Sequence, residues 1–274
     1  MALAAREEFV NGKATPFAPS VTAKVTLVKG LQVYGNASRN YRIPTFNDLY
    51  WKGAGGLGNP DLKSELSTGG EVGLQFKSSD IKNTQSLSFS TAVFSNDVDN
   101  WILWSPVTPQ VWSPQNIKKV WSRGIEAQTS GHKVFDKVST ELLLRYSFSQ
   151  ATNKDIYANV NPNELNKQLM FTPFHEGSAT ARISYKAIYF NVVYNYTGKQ
   201  YTDSDNTEYS AMQPYGVTNV SISKPFTFKS VKFTCNGDLN NIFNTTYQSR
   251  PGYPMPGINF KAGLTINFNK PNSL

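Results

Sequence analysis

Alternation of apolar and polar residues with a period of two runs along nearly the whole chain and constrains its fold more than any other feature. In the last such run, Phe260, Leu264 and Ile266 fall on one face and Lys261 and Thr265 on the other. That period belongs to β-strands, whose successive side chains point to opposite sides of a sheet. About a dozen such segments can be drawn, each close to the ~9–11 residues that a tilted membrane-spanning strand needs. No helical stripe of comparable quality occurs, so the sequence predicts an all-β chain.

The connections between these segments also alternate in length. Short connections are predicted at 29–30, 78–83, 132–137, 186–187 and 225–230, and long ones at 40–67, 96–118, 152–174, 202–213 and 244–257. Up-and-down strands produce this alternation when every second connection emerges on the same side. A soluble β-sandwich also alternates along its strands, but it has no need to sort its loops by length. The prediction is therefore an antiparallel up-and-down transmembrane β-barrel.

Composition agrees with a barrel and excludes several other classes. The mean hydropathy of −0.41 is low, as expected when only one face of each strand is apolar, and no run of ~18 apolar residues provides a spanning helix. The net charge of +8 is spread along the chain, with Lys118 and Lys119 as its main basic pair, so we expect no nucleic-acid partner. Cys235 is the only cysteine, which excludes an intrachain disulfide.

The segment 39–65 is too long for a hairpin turn and too aromatic for a solvated linker. It reads RNYRIPTFNDLYWKGAGGLGNPDLKSE, with an Ile-Pro break and a Gly-Asn-Pro-Asp tetrad. Its prolines fix the local φ angles and its glycines permit tight reversal, which favours an architectural role. Tyr50 and Trp51, in contrast, are candidates for contact with a ligand.

This segment resembles the signature of TonB-dependent outer-membrane receptors. The matching positions are Tyr41, Arg42, Pro44, Leu49, Tyr50, Gly58, Asn59, Pro60, Leu62 and Glu65. VWSRGIEAQ supplies a second match through Gly124 and Glu126, and DLNNIFNTTY with PGYPMPGINF resembles the C-terminal motifs of the family. Within the family, the sequences of these motifs most resemble those of the vitamin B12 and catecholate-siderophore receptors. Ile258 departs from the family, which usually carries Arg after that Pro-Gly.

The resemblance implies that residues 1–274 are the C-terminal part of a receptor barrel, roughly half of the 22 strands of the family barrel. We expect neither a plug domain nor a signal peptide in this chain, because its N-terminus, MALAAREEFVNGK, lacks basic and apolar signal regions. Phe268 is the expected C-terminal barrel signal, although six residues follow it.

The function implied by the resemblance is energy-coupled uptake of a scarce nutrient complex, of the iron–siderophore or cobalamin type, across the outer membrane of a Gram-negative bacterium. The implied partners are outer-membrane lipid and lipopolysaccharide, the missing N-terminal barrel half and plug, and the TonB complex acting through the plug. No cofactor is expected. The alternative is a soluble or surface β-rich module for ligand binding or adhesion, without transport.

Aromatic residues in the predicted long loops are the ligand-contact candidates. They are Tyr50, Trp51, Trp101, Trp104, Trp112, Tyr157 and Phe171. Such rings stack on flat or macrocyclic ligands, and they equally form the interfacial girdle of a barrel. Arg42 and Arg123 either meet an anionic ligand or, as the sequence favours, pair inside the barrel with carboxylates such as Glu71 or Glu126.

Metal-binding and catalytic patterns are weak. Asp203, Asp205 and Glu208 offer oxygen ligands for Ca²⁺, but their segment lacks the glycine and the spacing of an EF-hand loop, so a solvated loop without metal is expected. His132 falls in a predicted short turn and His175 at a strand start, and HEGS lacks the second histidine of a zinc motif. We therefore expect no enzymatic activity.

Overall fold

The alternating segments of the sequence form β-strands in the computed structural model, which describes residues 1–10, 12–53, 55–80, 84–108, 110–154, 162–229 and 231–268. The strands, numbered in chain order, are β1 (Ala2–Arg6), β2 (Phe9–Val10), β3 (Lys13–Ala14), β4 (Ala18–Val28), β5 (Leu31–Arg42), β6 (Lys52–Gly53), β7 (Gly56–Leu57), β8 (Glu65–Ser79), β9 (Gln85–Thr108), β10 (Val111–Phe135), β11 (Val138–Asn153), β12 (His175–Tyr185), β13 (Ile188–Thr197), β14 (Tyr215–Phe228), β15 (Val231–Asn240), β16 (Gln248–Arg250), β17 (Tyr253–Pro254) and β18 (Asn259–Phe268). The helical elements are α1 (Phe46–Tyr50) and 3-10 turns at Pro162–Glu164 and Glu208–Ser210. In the described ranges, none of these helices is long and apolar enough to cross a membrane.

Twelve strands form one antiparallel path in the order β1-β4-β5-β8-β9-β10-β11-β12-β13-β14-β15-β18. Each long strand pairs with the next long strand along the chain, which is the up-and-down arrangement. Within the described residues, β1 and β18 each have a neighbour on one side only, so the sheet is open. The prediction of an all-β, up-and-down chain of about a dozen strands is confirmed.

One end of the sheet carries the short turns. The turn at Lys186–Ala187 has φ angles of 45° and 62°, the left-handed conformation that a two-residue hairpin turn requires at both central positions. Two predicted turns were drawn too wide. β10 continues through His132 to Phe135, which pairs with Val138 of β11, and β14 continues to Phe228, which pairs with Val231 of β15.

The other end carries the long connections, and here the sequence misplaced a hairpin. The predicted loop 96–118 is mostly strand: β9 reaches Thr108 and β10 starts at Val111. Register shifts between Val111 and Trp112, and on both sides of Lys118, interrupt the ladder. Bulges of this kind tolerate prolines and extra residues that otherwise indicate a loop. The hairpin therefore projects beyond the point where β8 stops pairing with β9, at Leu66 opposite Asp99.

An exposed apolar band covers one face of the sheet, which we call the outward face. Val72, Val93 and Ile125 lie side by side on β8, β9 and β10, with 59%, 53% and 45% of their surface exposed. The same face of β11 and β12 presents Leu142, Leu144 and Ile183. The opposite face carries polar residues such as Asn36, Glu71 and Glu126. A contiguous exposed apolar surface that extends over β8 to β12 indicates contact with a membrane or another protein.

The buried core is small and lies near the long-loop end. Val98, Val120 and Ala151 form a buried cluster on the face opposite the apolar band, and Trp101 and Leu169 pack against it. Leu169 reaches the cluster because its N–H donates to the carbonyl of Ala151 at 2.8 Å. The strands thus place most of their large apolar residues on the exposed band and few in a protein interior.

Candidate functional site

The segment between β5 and β8 folds around the short helix α1, which the sequence prediction did not include. Thr45 is the N-cap: its hydroxyl accepts from the Asp48 N–H at 3.1 Å, and its own N–H donates to Asp48 Oδ2 at 2.9 Å. This reciprocal pair is a capping box, which satisfies N–H groups that a helix start leaves unbonded. The signal was present in the sequence as Thr45-Phe-Asn-Asp48, directly after Pro44.

Arg42, Asp48 and Glu65 form an ionic network at the base of this segment. Arg42 Nε donates to Glu65 Oε2 at 2.7 Å, a second guanidinium N–H donates to Glu65 Oε1, and Asp48 Oδ2 lies 3.6 Å from the guanidinium. The network also holds the projecting hairpin: the N–H of Ile102 donates to Glu65 at 2.8 Å and the indole of Trp104 donates to Asp48 at 3.0 Å. Both carboxylates are buried.

The network corrects the predicted partner of Arg42. The register of β5 and β8 places Arg42 opposite Glu65, so Arg42 forms an ion pair with Glu65 rather than with Glu71 or Glu126. Glu71 lies further along β8 and accepts a hydrogen bond from the Asn36 amide at 2.8 Å. Register, which fixes these neighbours, was not deducible from the motif itself.

Asp48 is ionised in this setting. Burial alone would raise the pKa of its carboxyl group, but hydrogen bonds from the N–H and hydroxyl of Thr45 and from the Trp104 indole, with the nearby charge of Arg42, outweigh burial and lower the pKa. A carboxylate that accepts several hydrogen bonds is stabilised in its charged form. Asp48 therefore clamps the helix start, the strand end and the hairpin together.

The second half of the motif folds back onto this helix. The Gly58 N–H donates to the Trp51 carbonyl at 2.7 Å, and the Asn59 N–H donates to the Asp48 carbonyl at 2.8 Å. The Asn59 side chain reaches the Pro114 carbonyl on β10 at 3.2 Å. Gly58 cannot carry a side chain, because a Cβ there would lie 2.6 Å from the backbone nitrogen of Tyr50.

Four of the candidate aromatic residues lie on one projecting unit, which consists of segment 43–64 and the tip of the β9–β10 hairpin. Tyr50 and Trp51 are about half exposed at the end of α1, and Trp112 is similarly exposed where β10 pairs with β7 at Gly56. The Trp104 indole is turned toward Asp48. Trp101 packs against the buried cluster instead.

The remaining two aromatic candidates lie elsewhere. Phe171 belongs to the loop after β11: its N–H donates to the Tyr201 carbonyl at 2.8 Å, and the Arg250 guanidinium lies 5.6 Å from its ring centroid. Phe171 therefore joins the loops before β14 and after β15. Tyr157 lies outside the described residues.

Those two loops enclose a pocket that sequence reasoning missed, which we call the tyrosine pocket. The rings of Tyr215 and Tyr247 lie 4.7 Å apart between centroids, and Tyr209 is fully exposed beside them. A cavity of about 500 Å³ opens here, lined also by Met212 and Gln248. The available signal was the density of tyrosines in two predicted long loops.

Two of the weak calcium candidates, Asp203 and Glu208, accept hydrogen bonds from neighbouring protein groups. Asp203 accepts from the N–H of Thr207 at 3.0 Å and from its hydroxyl, and Glu208 accepts from Lys199 Nζ at 2.8 Å. The hydrogen bond from Lys199 lowers the pKa of the Glu208 carboxyl group. Across the part of the chain that the structure describes, no three His, Cys, Asp or Glu side chains are grouped as metal ligands.

The second family motif lies on β10, within the main sheet. A Cβ at Gly124 would lie 2.0 Å from the Phe148 carbonyl oxygen of β11, so the strand pair requires glycine there. Glu126 lies on the polar face, opposite Ser147. Arg123 was expected on that polar face. It lies on the outward face instead, with its guanidinium 3.7 Å from the Trp121 ring centroid.

An open up-and-down sheet with an exposed apolar band, tight turns at one end and long structured loops at the other is the wall of a β-barrel. The family model described as TonB dependent receptor-like, beta-barrel matches residues 4–242. The chain belongs to that family, as its motifs predicted.

Curated relatives agree with this assignment. A vitamin B12 transporter BtuB of Photobacterium profundum is 27% identical over 247 residues, which cover 87% of this chain and 36% of the relative. A second, of Vibrio vulnificus, is 30% identical over 99 residues. The chain thus spans about a third of the length of the first of these relatives.

Solved structures share the fold. The ferric-catecholate import receptor Fiu from E. coli K12 matches with a TM-score of 0.62 at 20% identity, covering 93% of this chain and 35% of Fiu. The ferric yersiniabactin uptake receptor FyuA of Yersinia pestis gives a TM-score of 0.62 at 17% identity, covering 92% of this chain and 36% of FyuA. At this level of identity the likeness establishes the fold of the chain.

Proposed function

We propose that residues 1–274 are the C-terminal part of a TonB-dependent receptor barrel that takes up a scarce nutrient complex, of the iron–siderophore or cobalamin type, across the outer membrane of a Gram-negative bacterium. The observation that carries the proposal is the open sheet with its exposed apolar band and one-sided edge strands β1 and β18. An apolar outer face needs lipid, and unpaired strand edges need further strands.

In this proposal the projecting unit and the tyrosine pocket are the contacts for cargo. Tyr50, Trp51 and Trp112 present rings at the long-loop end, where the ligand arrives from outside. Aromatic faces of this kind bind flat or macrocyclic molecules by stacking. Trp104 and Trp101, which are held by Asp48 and by the buried cluster, position the hairpin that carries the exposed rings.

Energy coupling lies outside this chain in the same proposal. The plug and the other barrel strands belong to the rest of the receptor, and a TonB complex acts on the plug to open the path. The Photobacterium relative, of which the match covers only 36%, supports this division. The chain itself contributes barrel wall and outer loops.

Uptake in a receptor-deficient Gram-negative cell tests the proposal. Expressed alone, the chain is expected to give no uptake of cyanocobalamin or of a ferric catecholate, because the sheet of the described residues is open and, in this proposal, the rest of the receptor supplies the energy coupling. Co-expression with a plug-bearing N-terminal part is expected to restore uptake of one of these probes. Uptake by the chain alone, or a closed and membrane-inserted pair that transports neither probe, contradicts the proposal.

A further inference from the structure

We propose that the outward face of β10 and β11 carries a binding site for the phosphate group of a membrane lipid, at the long-loop end of the apolar band. The site is the Trp121 cluster, defined as Trp121, Arg123 and Lys154 with the neutral residues that fix them. The inference rests on the membrane location in the proposed function and goes beyond it, since it assigns the phosphate group of an anionic lipid to named side chains.

The cluster lies on the same face as the apolar band. Side chains alternate along a strand, so Trp121 and Arg123 share the face of Ile125, which is paired with Val93 on β9. The Trp121 indole donates a hydrogen bond to Ser95 Oγ at 2.9 Å, and Ser95 is on the Val93 face of β9. The cluster therefore faces the surroundings of the barrel rather than its interior.

Its height matches the outer boundary of a membrane. The stretch from Ile125 to the end of β10 at Phe135 has the ~9–11 residues with which a tilted strand crosses the hydrocarbon core. Lys133 lies 4.6 Å from the Phe135 ring centroid at the short-turn end. Arg123 and Trp121 follow Ile125 directly at the opposite end, where headgroups replace acyl chains. Amphipathic rings and long cationic side chains are typical of that level.

Two cations share the single Trp121 ring. The guanidinium carbon of Arg123 lies 3.7 Å from the ring centroid, and Lys154 Nζ lies 4.8 Å from it. Arg123 donates to Thr152 Oγ1 at 3.2 Å and Lys154 donates to Asn166 Oδ1 at 2.8 Å, so both are held by neutral partners. Among the described residues, no carboxylate forms an ion pair with either cation. Two like charges at one ring repel each other, and an anion within reach of both offsets that repulsion.

Acidic residues on the same face lie on the other side of the ring. Asp99 on β9 pairs with Lys119 at 3.6 Å, and Asp97 lies opposite Trp121 in the β9–β10 ladder. Arg123 and Lys154 are directed to the β11 side, where their partners Thr152 and Asn166 are. The surplus of positive charge is therefore local to the β11 side of the ring.

A lipid phosphate fits these groups better than other anions do. A guanidinium binds phosphate oxygens in a two-pronged geometry, and a lysine adds a point charge that can approach from a second direction. The adjoining apolar band, which includes Ile125 and Phe148, accommodates the acyl chains of the same molecule. Lipopolysaccharide and phosphatidylglycerol both offer this combination of phosphate and acyl chain.

Lipid titration of the full chain, purified in a neutral detergent, tests the site. Lipopolysaccharide, phosphatidylglycerol, zwitterionic phosphatidylcholine and inorganic phosphate serve as probes, and lipid binding is measured by native mass spectrometry and by the shift in unfolding temperature. The double variant Arg123→Gln/Lys154→Gln removes the two cations. Lys133→Gln/Lys186→Gln is the matched control, because it removes two cations that also contact aromatic rings but at the short-turn end.

The wild-type chain is expected to bind the two anionic lipids at least about tenfold more tightly than phosphatidylcholine, with the preference lost in the cluster variant and kept in the control. Equal binding of all three lipids, an undiminished preference in the cluster variant, or displacement of the lipid by millimolar inorganic phosphate overturns the inference.

A single variant keeps the test independent of folding. Lys154→Gln alters an end-of-strand side chain and is expected to reduce the preference about threefold or more, while Lys154→Arg retains it. A preference that is unchanged in Lys154→Gln counts against the site. A chain that enters detergent micelles but shows no headgroup preference overturns this inference and leaves the proposed function standing. A chain that needs no detergent contradicts both this inference and the proposed function.

Discussion

At the scale of single residues, Asp48 connects the family motif to the projecting hairpin. Its carboxylate accepts from Thr45 and from the Trp104 indole and lies beside Arg42, so three separate parts of the chain depend on one charge. The pKa of Asp48 is lower in the folded chain than its ordinary value of 3.8. Its contribution to stability is therefore fully present above that value and is lost as the pH falls through the lower folded pKa.

Replacement of Asp48 by Asn is expected to loosen this unit at neutral pH. The loss of charge-assisted hydrogen bonds at a buried group costs about 1–3 kcal/mol of local opening free energy. Hydrogen exchange of segment 43–64, followed by mass spectrometry, measures that loss. The difference from wild type is expected to shrink as the pH falls below 3.8. Asp61→Asn, an exposed carboxylate in the same segment, is the control, and equal protection in Asp48→Asn and wild type at neutral pH disproves the role.

At the scale of elements, the β10–β11 pair depends on Gly124. Since a Cβ at this position would lie 2.0 Å from the Phe148 carbonyl oxygen and 2.8 Å from the Phe94 ring, Gly124→Ala must displace a neighbouring strand. Overpacking of this kind costs about 1–3 kcal/mol. We expect a lower unfolding temperature, measured by circular dichroism in detergent.

The matched control for this prediction lies on the same strand. Gly131 has nothing within 4 Å of the position that a Cβ would take, so Gly131→Ala is expected to leave the unfolding temperature unchanged or slightly raised, because alanine reduces the freedom of the unfolded chain. Equal losses in the two variants would mean that the close approach at Gly124 relaxes without cost.

The sequence predicted the strands far better than the loops. Alternation identified β13 and β18, and the short turn at Lys186–Ala187, because period two is a local property. The projecting hairpin was missed because Asn100, Pro106 and Pro114 resemble loop residues, and the bulges that accommodate them depend on cross-strand pairing. The partner of Arg42 was missed for the same reason: Glu65 becomes its neighbour only through the register of β5 and β8. The tyrosine pocket needs two loops to meet, which no local pattern encodes.

At the scale of the whole molecule, the exposed apolar band decides how the chain behaves in water. We expect the isolated chain to require detergent or lipid to remain monodisperse, because Val72, Val93, Ile125 and their neighbours have no protein cover among the described residues. Size-exclusion chromatography with and without a neutral detergent measures this. A monodisperse peak in aqueous buffer alone favours the soluble or surface binding module over the barrel.

The up-and-down order of the strands also has a kinetic consequence. Nearly every pairing in the path joins strands that follow each other along the chain, so even the long connections, such as the one between Arg42 and Glu65, close a modest stretch of chain at a small entropic cost. Topologies with such low contact order form quickly, one hairpin after another. In the proposed receptor, the pairing of β18 with the first strand of the barrel spans the longest stretch of chain, and we infer that this last closure, rather than the formation of the wall, limits the rate of assembly.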